Sequence, residues 1–137
     1  TLIGLLGLHL FLLTKLQFTA WPEMFSFPYL FNNGFRLYGD MVHPYPPVLT
    51  LSLSILYKLF GYKLAVLKVA TWTLILANDI LIFFIVKKAT GQKIFAFLSL
   101  IFYLTLQPFL DGNHLWFDLA IVTPVLFGIL FFLNNLV

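Results

Sequence analysis

The stretch "VLTLSLSILYKLF" (residues 48–60) decides how often this chain crosses a membrane. As a helix it rises only about 20 Å, whereas a hydrocarbon core of roughly 30 Å needs about 20 apolar residues. Thr50, Ser54 and Lys58 recur at every fourth position, so one polar stripe marks an otherwise apolar helix. We expect this helix to lie in the membrane interface, and a short fifth span is the alternative.

Longer apolar runs on both sides predict membrane spans at about residues 1–18, 70–86, 94–110 and 115–133. The composition agrees, because 61% of the chain is hydrophobic and 9% is charged, whereas soluble domains are about half apolar and a quarter charged. The predicted fold class is an all-α polytopic membrane protein, with one domain over residues 1–137. The chain has no cysteine, which excludes disulfides and thiolate metal sites, and a net charge of +3 does not indicate nucleic-acid binding.

The distribution of charge predicts which loops face outward. The turn "KKATGQK" (residues 87–93) is the most basic short loop, so we expect it in the cytoplasm. The long loop at about residues 19–68 and the turn at residues 107–118 then face outside, provided that residues 48–60 do not cross. Four of the five acids fall on that side, namely Glu23, Asp40, Asp111 and Asp118. Three lysines count against this orientation, although they can bind anionic headgroups: Lys58, Lys63 and Lys68.

The segment "WPEMFSFPYLFNN" (residues 21–33) predicts a second short interfacial helix in the same loop. Pro22 suits its first turn and Gly34 follows its end, while Pro28 lies inside it and can kink it.

Glu23 and Asp118 are the first candidates for chemistry. Each lies at the membrane surface beside a predicted span, and in the expected topology the two converge on one outward cavity. A carboxylate there can take a proton from an acceptor hydroxyl, or hold a divalent cation against a phosphate. The alternative is that each is an ordinary solvated or helix-capping acid.

The order of these features resembles the N-terminal part of the polyprenyl-phosphate-sugar-dependent glycosyltransferases of the GT-C fold. Protein O-mannosyltransferases, lipid A aminoarabinose transferases and bacterial glycosyltransferase 39-like proteins belong to this group. The resemblance covers nearly all of this chain but only the front part of a family member. It is carried by Trp21-Pro22-Glu23, Gly34, Tyr38-Gly39-Asp40, His43-Pro44-Tyr45-Pro46-Pro47, Lys58-Leu59-Phe60-Gly61, the basic turn after Val86, and Leu115-Trp116-Phe117-Asp118.

The resemblance implies inverting sugar transfer from a polyprenyl-phosphate donor, with Glu23 as the catalytic base. Many relatives have Asp-Glu where this chain has Pro22-Glu23, so Asp40 is the reserve base. Asp118 would shape the site or bind a metal in the way of some family members. Asp40 and His43, aimed by the prolines that follow, would contact the donor phosphate or sugar.

Three more residues of the outer side are candidates for substrate binding. Arg36 is the nearest loop cation for a departing phosphate, and an ordinary surface or headgroup-binding arginine is the alternative. His114 and Asn113 flank the outer turn before Asp118 and can contact substrate. A divalent metal ion remains an option as cofactor, although the spacing of His43, His114 and Asp118 is not a metal-binding signature.

The expected partners are a polyprenyl-phosphate-linked sugar, the lipid bilayer and an acceptor that is a lipid, a glycan or a protein. The expected location is the plasma membrane, with several spans and the active face outside the cytoplasm. Both ends of the chain look cut, so we expect a fragment that is inactive alone. The alternative is a non-enzymatic membrane protein: a transporter piece, a channel subunit, or an accessory protein of lipid-linked sugar assembly.

Two polar residues inside predicted spans carry no functional assignment. We expect His9 to be a satisfied interhelical polar group. Asp79 should have a structural role, either leaning toward the basic turn or meeting a polar partner on another helix.

Overall fold

The computed structural model describes residues 1–110 and 112–135, and this part of the chain is helical, with two isolated β-bridges and no strand. Its helices, in order, are α1 (Leu2–Lys15), α2 (Glu23–Asn32), α3 (Val48–Phe60), α4 (Leu64–Thr90), α5 (Lys93–Leu110) and α6 (Phe117–Asn135). The expected all-α class is confirmed. Asp111, one of the acids expected on the outer side, lies outside the described residues.

Three of the described helices are long and apolar enough to cross a membrane. They are α4 with 27 residues, α5 with 18 and α6 with 19, and even α5 rises about 27 Å. The described chain is therefore that of a membrane-spanning protein. The expected fourth span corresponds to α1, whose 14 residues rise about 21 Å.

The bounds of α4 differ from the sequence prediction. The helix begins at Leu64 rather than at residue 70, because the preceding apolar residues continue its pattern and Lys63 is the last extended residue. It passes the predicted end at residue 86 and stops at Gly91, whose left-handed φ of 71° closes the helix. Lys68 therefore belongs to α4, and the long loop after α1 ends at Lys63.

The α2 and α3 helices pack against each other. The bounds of α3 are those that its sequence predicted, with Pro47 as N-cap and Gly61 at φ 83° after its end. α2 continues through Pro28. The amide of Asn32 donates to the Ser54 carbonyl at 3.0 Å, and Phe25 stacks on Tyr57 with ring centroids 5.4 Å apart.

Two of the three residues of the polar stripe on α3 are buried in the protein and do not face water. Thr50 and Ser54 are 2% and 3% exposed, whereas the freely exposed residues include Ile55 at 59% and Leu59 at 70%. The Thr50 hydroxyl forms a hydrogen bond within the protein, with the His43 ring nitrogen Nε2. The free face of α3 is thus largely apolar; Thr50 and Ser54 of the stripe are buried, whereas Lys58 in the last turn is exposed.

The spanning helices have two distinct ends. Leu2 and Leu5 at the start of α1 pack against Phe83 and Ala96, near the basic turn. At the other end of α1, the carbonyl of Leu13 accepts a hydrogen bond from the segment between α5 and α6. We call residues 87–93 the basic end. The loop end comprises residues 16–22, 61–63 and 112–116.

A buried polar network ties α1, α4 and α5 together. His9 Nδ1 lies 2.7 Å from Asp79 Oδ2, and His9 Nε2 lies 3.3 Å from Gln107 Oε1. All three residues are at most 2% exposed. The expectation for His9 is confirmed, and Asp79 meets its polar partner on another helix rather than leaning toward the basic turn.

Candidate functional site

A large open groove lies between α3, α4 and α6 and reaches the loop end of the bundle. Its volume is about 1000 Å³, which is in the range of sites for sizeable small-molecule ligands. We call it the Asp118 groove; its lining residues are Tyr45, Pro46, Val48, Leu49, Ser52, Leu74, Ala77, Ile80, Leu81, Phe117, Asp118, Ala120, Ile121, Thr123, Pro124 and Phe127. Because most of these side chains are apolar, the groove suits a hydrocarbon chain. A smaller apolar cavity of about 550 Å³ adjoins it along α3 and α4.

Asp118 is the one acidic residue of this lining. It is the second residue of α6, where the helix dipole favours a negative charge. Its side chain is exposed, and within the described part of the chain it makes no hydrogen bond or ion pair. Thr123, deeper in the groove, is already engaged, because its hydroxyl donates to Asn78 Oδ1 at 2.7 Å. An otherwise apolar groove therefore carries an unengaged carboxylate at its loop end.

Aromatic contacts bring the three segments of the predicted site together. The rings of Trp21 and Trp116 are 5.4 Å apart, and those of Tyr45 and Trp116 are 5.6 Å apart. Tyr45 also stacks on Phe117 at 3.9 Å. Trp21 precedes Glu23 by two residues, and Phe117 precedes Asp118. The elements that carry the two acids thus meet at the same end of the bundle.

Asn113 fixes this meeting point by using its whole amide group. Its Nδ2 donates to the carbonyl of Leu13 at 2.8 Å and to that of Leu16 at 3.2 Å. Its Oδ1 accepts from the indole of Trp72 at 2.9 Å, and its carbonyl accepts from Thr19 N at 3.0 Å. Asn113 is 5% exposed, so it acts as a structural clamp between α1, α4 and the start of α6.

Glu23 is the first residue of α2 and is half-buried. Its Oε2 is buried and has no hydrogen-bond partner among the described residues. A buried acceptor without a donor is costly, so this oxygen is suited to a hydrogen-bond donor that arrives with a substrate. Of the predicted catalytic residues, Glu23 has the freer carboxylate.

Asp40, the reserve base, is engaged by Arg36. The guanidinium of Arg36 holds both carboxylate oxygens at 3.0 Å, and its backbone N–H donates to Oδ2 at 2.8 Å. These hydrogen bonds lower the pKa of Asp40 below its ordinary value. A carboxyl with a lowered pKa is a weaker base, and the paired guanidinium is less free to bind a phosphate.

His43 is buried at 3% exposure and both of its ring nitrogens are used. Nδ1 lies 2.8 Å from the carbonyl of Tyr45, and Nε2 lies 2.8 Å from the hydroxyl of Thr50. The rings of Phe27, Tyr38 and Phe117 surround it. In this arrangement His43 shapes the loop beside the groove and its nitrogens do not face a free space.

His114 lies beside Trp21, with ring centroids 6.0 Å apart. A Cβ at Gly112 would come within 2.8 Å of His114 Nδ1, so this turn requires a glycine, whose φ is 76°. In residues 1–110 and 112–135, no group of three His, Asp or Glu side chains is placed to hold a metal ion. The structure thus does not gather His43, His114 and Asp118 into such a group.

Two groove-lining residues, Tyr45 and Ser52, carried no separate role in the sequence analysis. Tyr45 lay inside the proline-rich motif, and its stacking on Phe117 depends on a partner 72 positions away. Ser52 lies off the stripe at Thr50, Ser54 and Lys58. Only the packing of α3 beside α4 and α6 reveals that Ser52 faces the groove.

No protein-family model matches the chain, and neither a curated protein nor a solved structure matches it. The resemblance to the GT-C glycosyltransferases therefore rests on the order and spacing of the sequence motifs alone.

Proposed function

We propose that this chain belongs to a membrane glycosyltransferase of the GT-C type, which transfers a sugar from a polyprenyl phosphate. The donor's hydrocarbon chain lies along the Asp118 groove, and its phosphate and sugar lie at the loop end. Glu23 is the base, and Asp118 orients the sugar. The acceptor reaches this site from outside the cytoplasm.

The observation that carries the proposal is that the Asp118 groove is apolar along its length and has a carboxylate at its loop end. An apolar channel of about 1000 Å³ leads to an unengaged carboxylate, and the segment bearing Glu23 packs beside it through Trp21 and Trp116. A lipid-linked sugar has the matching order, with a long hydrocarbon chain followed by a polar head.

The chemistry is a direct displacement at the anomeric carbon. The acceptor oxygen attacks this carbon as Glu23 takes the hydroxyl proton, and the bond from carbon to phosphate oxygen breaks. The electron pair leaves with the lipid phosphate, so the anomeric configuration inverts. A base at the right distance contributes about 10²- to 10⁴-fold to such a step.

The proposed topology has four spans, formed by α1, α4, α5 and α6. The α2–α3 pair lies in the outer interface, with the apolar face of α3 toward lipid and α2 toward water. The basic end then lies in the cytoplasm, in agreement with the positive-inside rule. Under this topology both acids face the outside.

One observation favours the alternative of a transporter piece. His9 and Asp79 form an ionisable pair inside the helical bundle, and such pairs often mark ion or proton paths. Both side chains are fully buried and hydrogen-bonded, however, which suits a structural tie better than a path. Loss of substrate uptake without loss of sugar transfer in Asp79 variants would favour the transporter.

The test is sugar transfer in membranes that overproduce the full-length protein, since such membranes supply membrane-borne acceptors. The donors are polyprenyl phosphates that carry radiolabelled mannose, glucose or aminoarabinose. We expect Glu23→Gln to reduce the turnover of the active donor by about 10²-fold or more. Asp118→Asn should raise the donor KM or reduce turnover by about tenfold.

Ser26→Ala is the matched control, because Ser26 lies on α2 within one turn of Glu23 and is exposed. It should leave transfer unchanged. Full transfer by the Glu23→Gln protein would show that Glu23 is not the base. Absence of transfer from each donor to any acceptor would count against the proposed function itself.

A further inference from the structure

A further cavity, separate from the Asp118 groove, lies at the basic end, on the opposite side of the bundle from Asp118. It has a volume of about 360 Å³ and lies between the end of α4 and the end of α6. Its lining residues are Phe84, Lys87, Lys88, Gly91, Leu130 and Asn134. The proposed glycosyltransferase activity makes no use of this cavity, so it calls for a separate explanation.

Each helix contributes polar residues near its end and an apolar residue one turn deeper. On α4, Phe84 lies one turn deeper than Lys87 and Lys88. On α6, Leu130 lies one turn deeper than Asn134. The cavity thus has a cationic and amide rim at the membrane surface and an apolar floor below it.

The polar groups of the rim are available for a ligand. Lys87 Nζ contacts the ring of Phe84, with 5.9 Å to its centroid. Within residues 1–110 and 112–135, neither Lys87 nor Lys88 pairs with a carboxylate, and the Asn134 amide has no hydrogen bond. At Gly91, an added Cβ would meet no atom within 4 Å, so the rim has open space.

We propose that this cavity binds the phosphodiester headgroup of an anionic membrane phospholipid. The two ammonium groups and the Asn134 amide contact the phosphate oxygens, and one acyl chain begins along Phe84 and Leu130. Lysines at a helix C-terminus also stabilise the helix dipole. That role needs neither the amide on α6 nor an apolar floor between two helices, whereas a phospholipid uses all of these features.

The test is lipid retention by the purified full-length protein, measured by native mass spectrometry. The protein is exchanged into mixed micelles with phosphatidylglycerol or phosphatidylcholine. We expect wild-type protein to retain phosphatidylglycerol about 25-fold more than phosphatidylcholine, because each of the two lysines contributes about fivefold to binding of an anionic lipid. Lys87→Gln combined with Lys88→Gln should abolish this preference.

Lys93→Gln is the matched control, since Lys93 belongs to the same turn but does not line the cavity. It should keep the preference for phosphatidylglycerol. Leu130→Trp is a second variant, which fills the cavity without changing a charge and should also lose the lipid. Gel filtration verifies that each variant is folded.

Three results would overturn the proposal. The first is equal retention of the two lipids by wild-type protein. The second is a loss with Lys93→Gln as large as that of the double variant, which would indicate a diffuse electrostatic field. The third is displacement of phosphatidylglycerol by inorganic phosphate at equal concentration, which would indicate a site for free phosphate without a lipid chain.

Discussion

Among single residues, Asp79 makes a fully buried contact with His9 of α1. Both nitrogens of His9 face oxygen atoms, and the orientation of the Gln107 amide is fixed because its Nε2 donates to the carbonyl of Gly112 at 3.1 Å. The second carboxylate oxygen of Asp79, Oδ1, is buried without a hydrogen-bond partner among the described residues. Such a pair in the bundle interior fixes the position of α1 against α4 and α5. Without its partner, either side chain would be a buried polar group that destabilises the fold.

Replacing Asp79 with Leu should therefore lower the free energy of unfolding by about 1–3 kcal/mol. His9→Leu should cost a similar amount, and the double variant should cost no more than either single one, because the remaining partner is then no longer buried alone. The measurement is a double-mutant cycle from thermal unfolding of the full-length protein in detergent. Thr73→Ala, an exposed change on the same helix, is the control. Strict additivity of the two losses would refute the coupling.

The pairing of Asp40 with Arg36 should be visible in the pH at which the Asp40 carboxyl group titrates. Because its folded pKa is lowered below the ordinary 3.8, the pair is fully formed above that value and is lost as the pH falls through the folded pKa. Arg36→Gln should move the titration midpoint of Asp40 back up toward 3.8. NMR of isotope-labelled aspartate carboxyl carbons as a function of pH measures this midpoint. Lys58→Gln, which removes an unpaired exposed lysine, should leave it unchanged, and an unshifted midpoint in Arg36→Gln would exclude the pairing.

Among the helices, α3 has bounds that its local sequence determines and an orientation that its contacts with other segments determine. Its bounds follow from Pro47, Gly61 and an apolar run, which are local signals. Two residues of its polar stripe, in contrast, face inward: the Thr50 hydroxyl pairs with the ring of His43, and the Ser54 hydroxyl donates to the Leu51 carbonyl within α3. The pattern predicted the stripe but not which side of the helix would remain free.

The free apolar face of α3 should lie on lipid. A spin label at Ile55 should collide with dissolved oxygen, which concentrates in the hydrocarbon, more often than with a water-soluble nickel complex. A label at Tyr29 on α2, which is 54% exposed, should show the reverse. Preferential contact of the Ile55 label with the nickel complex would place this face in water and contradict the interfacial arrangement.

The limits of sequence reasoning are clearest for contacts between distant segments. The apolar runs identified α5, α6 and most of α4, since length and hydropathy are properties of a single segment. The Asn113 clamp and the pairing of His9 with Asp79 involve partners 41 or more positions apart, and the lining of the Asp118 groove combines three separate segments of the chain. No spacing rule reaches that far, so these features required the folded chain.

At the scale of the whole molecule, the two ends of the bundle differ in chemistry. The loop end carries the Asp118 groove and the segment of Glu23, whereas the basic end carries three lysines within residues 87–93. This asymmetry is what a membrane enzyme with an outward donor site requires. The proposed glycosyltransferase function requires both acids to be on the side of the membrane opposite to the basic end.

Single-cysteine labelling tests this requirement most directly. The chain has no native cysteine, and suitable positions are Ser26 on α2, Asp118 at the groove and Thr90 at the basic end. A membrane-impermeant maleimide is applied to intact cells that produce the full-length protein. We expect Ser26→Cys and Asp118→Cys to react from outside, and Thr90→Cys to react only after permeabilisation. Reaction of positions 26 and 118 from opposite sides would separate the two acids and contradict the glycosyltransferase assignment.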